Sequence, residues 1–345
     1  MATKKKNSPA MDKNLSILEK IKSMKNDKLY IGGSIPDVNY ISSLVSLDTL
    51  TGIPRGRVVE IFPSSKTSLA MKIAEQYVKA ERVLFMDTET YPKHLEKIYG
   101  IAEIDVYAPS AGEEAIDFMV DAVGMYLIIL DSVETTVPMA IHNSEVEASN
   151  LGNMKLMTKF MRLIVDKLRD TCTLICINHE KAAISYTEMY RPNAIPYASS
   201  LSIRIRKDSA VTATKDDKIA YQHTIVKIVK TKLKKLHENE IRLYLDVKQR
   251  FDEIDMALWA VKYGIIHQAG WYKYEASLGQ GLLTIVKYFR EHPETEKAIR
   301  EELEYKIKII DKQDDLIFED DIKYNEMVKE YNKKFGKEFP LYDKE

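Results

Sequence analysis

Between Arg57 and Val247 the chain alternates short apolar, β-branched runs with stretches whose apolar residues recur at helical spacing. The runs RVVEIF (57–62), RVLFMD (82–87), YLIILD (126–131), TLICIN (173–178), SLSIRI (200–205), TIVKIVK (224–230) and EIRLYLD (240–246) predict strands. Helical stretches at 67–80, 92–99, 112–123 and 152–170 fall between the early ones. Apolar strands alternating with amphipathic helices specify an α/β fold, a mostly parallel central sheet with helices on both faces. The later strands follow one another with little helix between, which predicts an antiparallel extension. After Phe251 the pattern changes to helix, a short strand WYKYE (271–275), and helices over 279–290 and 294–309. That is the pattern of a small α/β domain.

Ahead of the core, Leu15, Leu18, Ile21 and Met24 recur on or near one helical face. A lone amphipathic helix packs either at home or on a neighbour. The chain therefore divides into an N-terminal helix and linker (1–32), a core (33–252), a small C-terminal domain (253–310) and a charged tail (311–345). No internal repeat or low-complexity tract interrupts this order.

Composition narrows the class. With 345 residues, 45% hydrophobic and 30% charged, the chain can bury a core, which excludes wholesale disorder. No stretch approaches the roughly 18 consecutive apolar residues of a membrane span, and the N-terminus lacks the apolar run of a secretory signal. A cytoplasmic location is the expectation. Cys172 and Cys176 lie inside an apolar run and read as buried small hydrophobes rather than a disulfide or zinc framework.

The net charge of -1 hides a polarity along the chain. Residues 1–30 hold eight lysines against three acids, and residues 204–235 hold ten basic residues against three. The last segment, 311–345, reverses this with eleven acids against seven lysines. Each run is compatible with a solvated face; together they also suit a chain that binds a polyanion and competes with it through its own tail.

The strongest local motif is the strand RVVEIF followed by PSSKTSLAMKIAEQ. A strand, a tight turn and Lys-Thr opening a helix is the layout of a phosphate-binding loop. In that layout the backbone of Ser64, Ser65 and Ser68 faces phosphate, Lys66 supplies charge and Thr67 ligates Mg²⁺. The glycines of the usual G-x-x-x-x-G-K-[ST] pattern are absent, so an ordinary helix cap is the competing reading. Three further strand ends carry polar residues: Asp87 with Glu89, Asp131, and Asn178 with His179. A carboxylate at such an edge can polarise a water, and ligands of open α/β sheets bind along it.

These stretches resemble the RecA group of DNA strand-exchange recombinases, and within it the phage-encoded UvsX-like branch. The resemblance is carried by IPRGRVVEIF, LFMDTE, IILDS, ICINH, KIVKTK, and WYKYE with LGQGLLTIVKYFREHPETEKAI, and covers about residues 12 to 309. It implies an ATP- and Mg²⁺-using core in which Lys66 and Thr67 hold phosphate and metal. Glu89 would be the general base, Asp131 the second magnesium-site acid, and His179 the link from the γ-phosphate to a DNA-binding loop. Tyr91 or His94 would stack on adenine. Lys230 and Lys232 would reach a neighbour's γ-phosphate, placing ATP between protomers.

The resemblance further implies two DNA-binding loops near 143–153 and 180–197, with the helix between them. Lys155, Arg162, Lys181 and Arg191 would meet phosphates there. Partners would be single-stranded DNA, a homologous duplex, further copies of the chain in a helical filament, and single-strand-binding and loader proteins. The chain is shorter than the family pattern at its glycine-rich loops, the phosphate loop included. Either that loop is truly reduced, which would leave a non-hydrolysing filament or mediator protein, or residues of mobile loops stand outside the sequence in hand. A hexameric helicase-type motor is a third reading, opposed by the WYKYE…LGQG segment and the N-terminal helix.

Overall fold

A computed structural model describes residues 40–41, 44–78, 81–89, 103–124, 126–139, 149–168, 172–182, 189–190, 194–213, 220–233, 236, 239–244, 252–315 and 321–341. The expected N-terminal helix, the helix over 92–99, and the side chains of Tyr91, His94, Lys181 and Arg191 lie outside the described residues. Residues 39–345 make one compact unit.

In chain order that unit opens with β1 (Tyr40–Ile41), α1 (Val45–Leu50), β2 (Ile53–Pro54), β3 (Val58–Pro63) and α2 (Lys66–Tyr77). It continues through β4 (Arg82–Asp87), β5 (Ile104–Tyr107), α3 (Gly112–Ala122), β6 (Tyr126–Asp131), α4 (Ser149–Lys167) and β7 (Leu174–Ile177). Next come β8 (Lys181–Ala182), β9 (Met189–Tyr190), α5 (Ile195–Ala198), β10 (Leu201–Ala213), β11 (Ala220–Thr231) and β12 (Glu240–Tyr244). The C-terminal part holds α6 (Asp252–Lys262), β13 (His267–Gln268), β14 (Tyr272–Lys273), β15 (Ser277–Gly279), α7 (Leu282–Glu291), α8 (Pro293–Asp315) and α9 (Asp321–Phe335).

The main sheet has eight strands in the order β12-β11-β10-β3-β7-β6-β4-β5. Strands from β10 to β5 pair in parallel, while β11 and β12 pair antiparallel beyond β10. The parallel core and its antiparallel extension are as the pattern predicts. β10 and β11 run longer than the apolar runs SLSIRI and TIVKIVK suggest, because their polar distal halves pair with each other.

Alternation along each central strand feeds two helical layers. Val59, Ile61, Val83, Phe85, Leu127, Ile129, Ile175 and Ile177 pack with Leu69 and Ile73 of α2. Their neighbours Val58, Leu84, Met86, Ile128, Leu130, Leu174 and Cys176 pack with α3 and α4 on the other face. A strand buried on both faces is apolar at nearly every position, which is why these runs, Glu60 of β3 apart, show no polar alternation. Each fully buried aliphatic side chain contributes about 1.5–3 kcal/mol.

α3 shows how a helix is specified locally. Glu113 and Glu114 sit in its first turn, where negative charge meets the helix dipole. Glu114 Oε2 accepts the Ser110 N–H at 2.8 Å, satisfying a donor at the helix entrance. Ala115, Ile116, Met119 and Ala122 then bury one face.

The C-terminal part is a three-stranded antiparallel sheet, β13-β14-β15, with α6, α7 and α8 around it. Its Trp259, Tyr272, Leu278 and Phe289 belong to the same apolar cluster as the α2 side of the main sheet. The segment expected as a charged tail instead contains α9. Tyr324, Val328 and Tyr331 of α9 bury against Ile309 of α8, with Tyr305, Phe335 and Phe339 packed around them. Glu302 lies wholly buried beneath, accepting Tyr274 Oη–H at 3.0 Å and Tyr331 Oη–H at 2.9 Å and pairing with Lys337 at 2.7 Å. The charges along α9 hid this apolar stripe.

Candidate functional site

The carboxyl ends of β3, β4, β6 and β7 lie side by side, and each contributes to one cluster. β3 hands over to α2 through Ser64 and Ser65 alone. Ser64 Oγ donates to the Ile205 carbonyl at 3.0 Å, tying the turn to β10. Ser65 takes the left-handed conformation at φ 48°, where a glycine is ordinarily found, and its side chain makes no cap. Ser68 is in the first turn of α2.

Lys66 and Thr67 follow, both buried at the start of α2. The Thr67 hydroxyl donates to Asp131 Oδ2 at 2.6 Å. Asp131 ends β6 level with Asp87 of β4 and is fully buried, and its Oδ1 has no hydrogen-bond partner among the described residues. Burial pushes the Asp131 carboxyl up to about 6, against the Thr67 hydrogen bond and with Glu89 adding to the rise. Lys66 is pulled below the usual ammonium range by burial, while Glu89, Asp131 and Glu134 oppose the change.

The Lys66 ammonium contacts the His179 imidazole Nε2. That nitrogen lies 3.4 Å from Glu89 Oε1 and 4.0 Å from Glu134 Oε2. The His179 backbone N–H is shared between Asn178 Oδ1 at 3.0 Å and Glu134 Oε1 at 3.2 Å. Thr88 closes the floor: its N–H donates to the Asp131 carbonyl at 2.8 Å, and its hydroxyl meets the Ser132 carbonyl at 2.9 Å.

Beneath His179 lies a buried polar chain. Asn178 Nδ2 donates to Glu60 Oε1 at 2.7 Å, Ser202 Oγ donates to Glu60 Oε2 at 2.8 Å, and Ser199 Oγ meets Ser202 Oγ at 2.8 Å. It joins β3, β7 and β10 to the end of α5. Sequence reading missed Glu134, Thr88 and this chain, because the contacts that tie each of them to the site span tens of residues. The run VVEIF, with a glutamate inside an apolar strand, was the one available signal for Glu60.

The structure brings Lys66, Thr67, Asp131, Glu89 and His179 together, and it keeps Lys230 and Lys232 apart from them. Both β11-end lysines cap the last turn of α5: Lys230 Nζ donates to the Pro196 and Tyr197 carbonyls, and Lys232 Nζ to the Tyr197 carbonyl at 3.2 Å. Lys155 and Arg162 are exposed on α4, one face of a shallow depression also lined by Met154, Thr158, Lys159 and Leu163. Lys159 joins them one helical turn from Lys155.

Hydroxyl and carboxylate oxygens suit a hard cation, and a buried oxygen without a partner is the atom such an ion would satisfy. Thr67 and Asp131 therefore fit Mg²⁺. The turn before them supplies the positive end of α2 but no glycine-lined nest.

Fold and site together define an α/β protein whose polar and charged groups gather at the carboxyl edge of a parallel sheet, behind a Lys-Thr helix start. A family model of the RecA N-terminal domain matches residues 17–246, and one of the RecA C-terminal domain matches residues 254–308. The chain belongs to the RecA family. It is 31% identical over 308 residues to Protein RecA of Borrelia duttonii (strain Ly), covering 81% of this chain and 83% of that protein. It is 31% identical over 276 residues to Protein RecA of Rickettsia massiliae (strain Mtu5), covering 72% of this chain and 79% of that one. These matches establish the family as a whole; the narrower phage-encoded branch is not what they show. No helix among the described residues is long and apolar enough to cross a membrane.

Proposed function

We propose that the chain is an ATP-dependent recombination protein of the cytoplasm that forms helical filaments on single-stranded DNA and exchanges it with a homologous duplex. The observation that carries this reading is the pairing of both RecA domain matches with a Lys66–Thr67–Asp131–Glu89–His179 cluster on one sheet edge. Thr67 and Asp131 would hold Mg²⁺, and Lys66 would meet the phosphates. The bound metal nucleotide would supply a phosphoryl group made electrophilic by the cation. Glu89 is within reach of the same space and would accept a proton from water. Lys155, Lys159 and Arg162 would neutralise DNA phosphates from α4, with Lys181 and Arg191 on the following loop. Sequence would be read by base pairing between strands.

Lys230 and Lys232 would serve a neighbouring protomer's nucleotide only after leaving the α5 carbonyls. Their intramolecular role is the state seen in the single chain. Single-strand-binding and loader proteins are the partners that a filament of this kind would need.

One feature favours a second reading, a filament or mediator protein that does not hydrolyse ATP. The Ser64–Ser65 turn is short, carries no glycine, and leaves the Lys66 ammonium on His179. Phosphate release from ATP, with and without single-stranded DNA, separates the two. Turnover stimulated by DNA supports the recombinase. Filament formation without turnover supports the second reading.

A further inference from the structure

Glu134 stands outside every role given so far. It follows the Asp131 strand end, and its two oxygens divide their work. Oε1 accepts the His179 backbone N–H at 3.2 Å. Oε2 is buried, has no hydrogen-bond partner among the described residues, and faces the His179 ring nitrogen from 4.0 Å. A buried carboxylate oxygen left unpaired is costly, and a donor that moves within its reach lowers that cost.

The competing partner of the imidazole is Lys66. A phosphate at the start of α2 draws the same ammonium, and Lys66 then gives up its place on the ring. With its proton on Nε2 the ring then donates to a carboxylate: Glu89 Oε1 stands 3.4 Å away, and Glu134 Oε2, the one without a partner among the described residues, 4.0 Å. A closure of about 1 Å brings the ring nitrogen into hydrogen-bond range. His179 lies two residues past the end of β7 and two before β8. A ring that changes seats therefore pulls on the short link between β7 and β8.

We infer that Glu134 is a positioning residue, holding the His179 backbone through one oxygen and offering its imidazole a second seat through the other when Lys66 turns to an anion. The seat rests on the reading of Lys66 as a nucleotide-phosphate ligand; the backbone contact does not.

The test uses the full chain labelled with ¹⁵N-histidine, which gives seven backbone amides, with His179 assigned through His179→Asn. Without nucleotide, Glu134→Ala shifts the His179 amide resonance, while Glu134→Gln, which keeps an oxygen acceptor, leaves it near the wild-type position. Single-stranded DNA affinity is then measured with and without a non-hydrolysable ATP analogue and Mg²⁺. The nucleotide tightens DNA binding about tenfold in the wild type and less than about twofold in Glu134→Ala, with Glu134→Gln in between.

An unmoved His179 amide in Glu134→Ala overturns the positioning role. An unchanged nucleotide effect in that variant overturns the second seat. A wild type without any nucleotide effect removes the nucleotide reading and the seat with it, while the amide resonance still decides the backbone contact.

Discussion

Thr67 at the start of α2 donates its hydroxyl to Asp131 at the end of β6, across 2.6 Å and 64 residues of sequence. The bond occupies one carboxylate oxygen and leaves the other buried and, among the described residues, unpaired. Burial raises the Asp131 carboxyl to about 6 from 3.8, so near pH 7 the folded state holds a charge that it disfavours. For an acid whose folded value is raised, the native state binds the extra proton. Its contribution is therefore favourable at low pH and is lost as pH rises through about 6.

Asp131→Asn follows from this sign. In metal-free protein at pH 7.5 the variant should be more stable by on the order of 2 kcal/mol. The gain should shrink below the folded value of about 6, where Asp131 is already neutral. The same variant should lose Mg²⁺-dependent nucleotide binding. Thermal melts across pH, with and without Mg²⁺ and ATP, check both halves. A less stable variant at pH 7.5 contradicts the assignment of Asp131 as a buried, cation-seeking charge.

Ser65 carries a local strain that its residue type does not suit, at φ 48°. Glycine at this position removes a penalty of roughly 1–2 kcal/mol but adds unfolded-state entropy of roughly half that. Ser65→Gly should raise stability by several tenths of a kcal/mol, read as a small increase in urea midpoint at unchanged slope. A destabilised Ser65→Gly would mean that the turn does not hold this conformation.

Lys155, Lys159 and Arg162 share the exposed side of α4 while Leu156, Met157, Phe160, Met161 and Ile164 bury the other. Removing an exposed cation leaves the core intact. Lys155→Ala and Arg162→Ala should each lower the slope of log affinity for single-stranded DNA against log salt by about 0.7, with melting temperatures near wild type. Equal slopes in all three proteins would move DNA off this helix.

Tyr331 of α9 and Tyr274 both donate to buried Glu302. Tyr331→Phe keeps the ring and removes one donor from that carboxylate, which should cost about 1–3 kcal/mol. A denaturant melt that does not change would show that α9 is not locked onto α8 through Glu302.

The legible part of the sequence was what repeats or ends abruptly. β4 and β6 were bounded correctly because an apolar run halts at Asp87 and Asp131, and those halts also located Asp131 and the strand end that carries Glu89. β5 went unseen, since Asp105 interrupts four residues that are half exposed at the sheet edge. α9 went unseen because its lysines and glutamates dominate the composition, while Tyr324, Val328 and Tyr331 at helical spacing carry the packing. Lys66, Thr67 and His179 were found from strand-helix layout and strand ends. Glu134 was not, because its only signature is a contact across 45 residues. The capping of α5 by Lys230 and Lys232 needed β10 and β11 to be paired before it could be read.

The central claim is that a nucleotide held at this cluster drives exchange of DNA strands. The most direct test mixes the full chain with circular single-stranded DNA and a homologous linear duplex, with ATP and Mg²⁺, with Mg²⁺ alone, and as Lys66→Ala with ATP. The account predicts joint molecules and exchanged product in the first mixture only. Exchange that proceeds equally without ATP, or in Lys66→Ala, would contradict it.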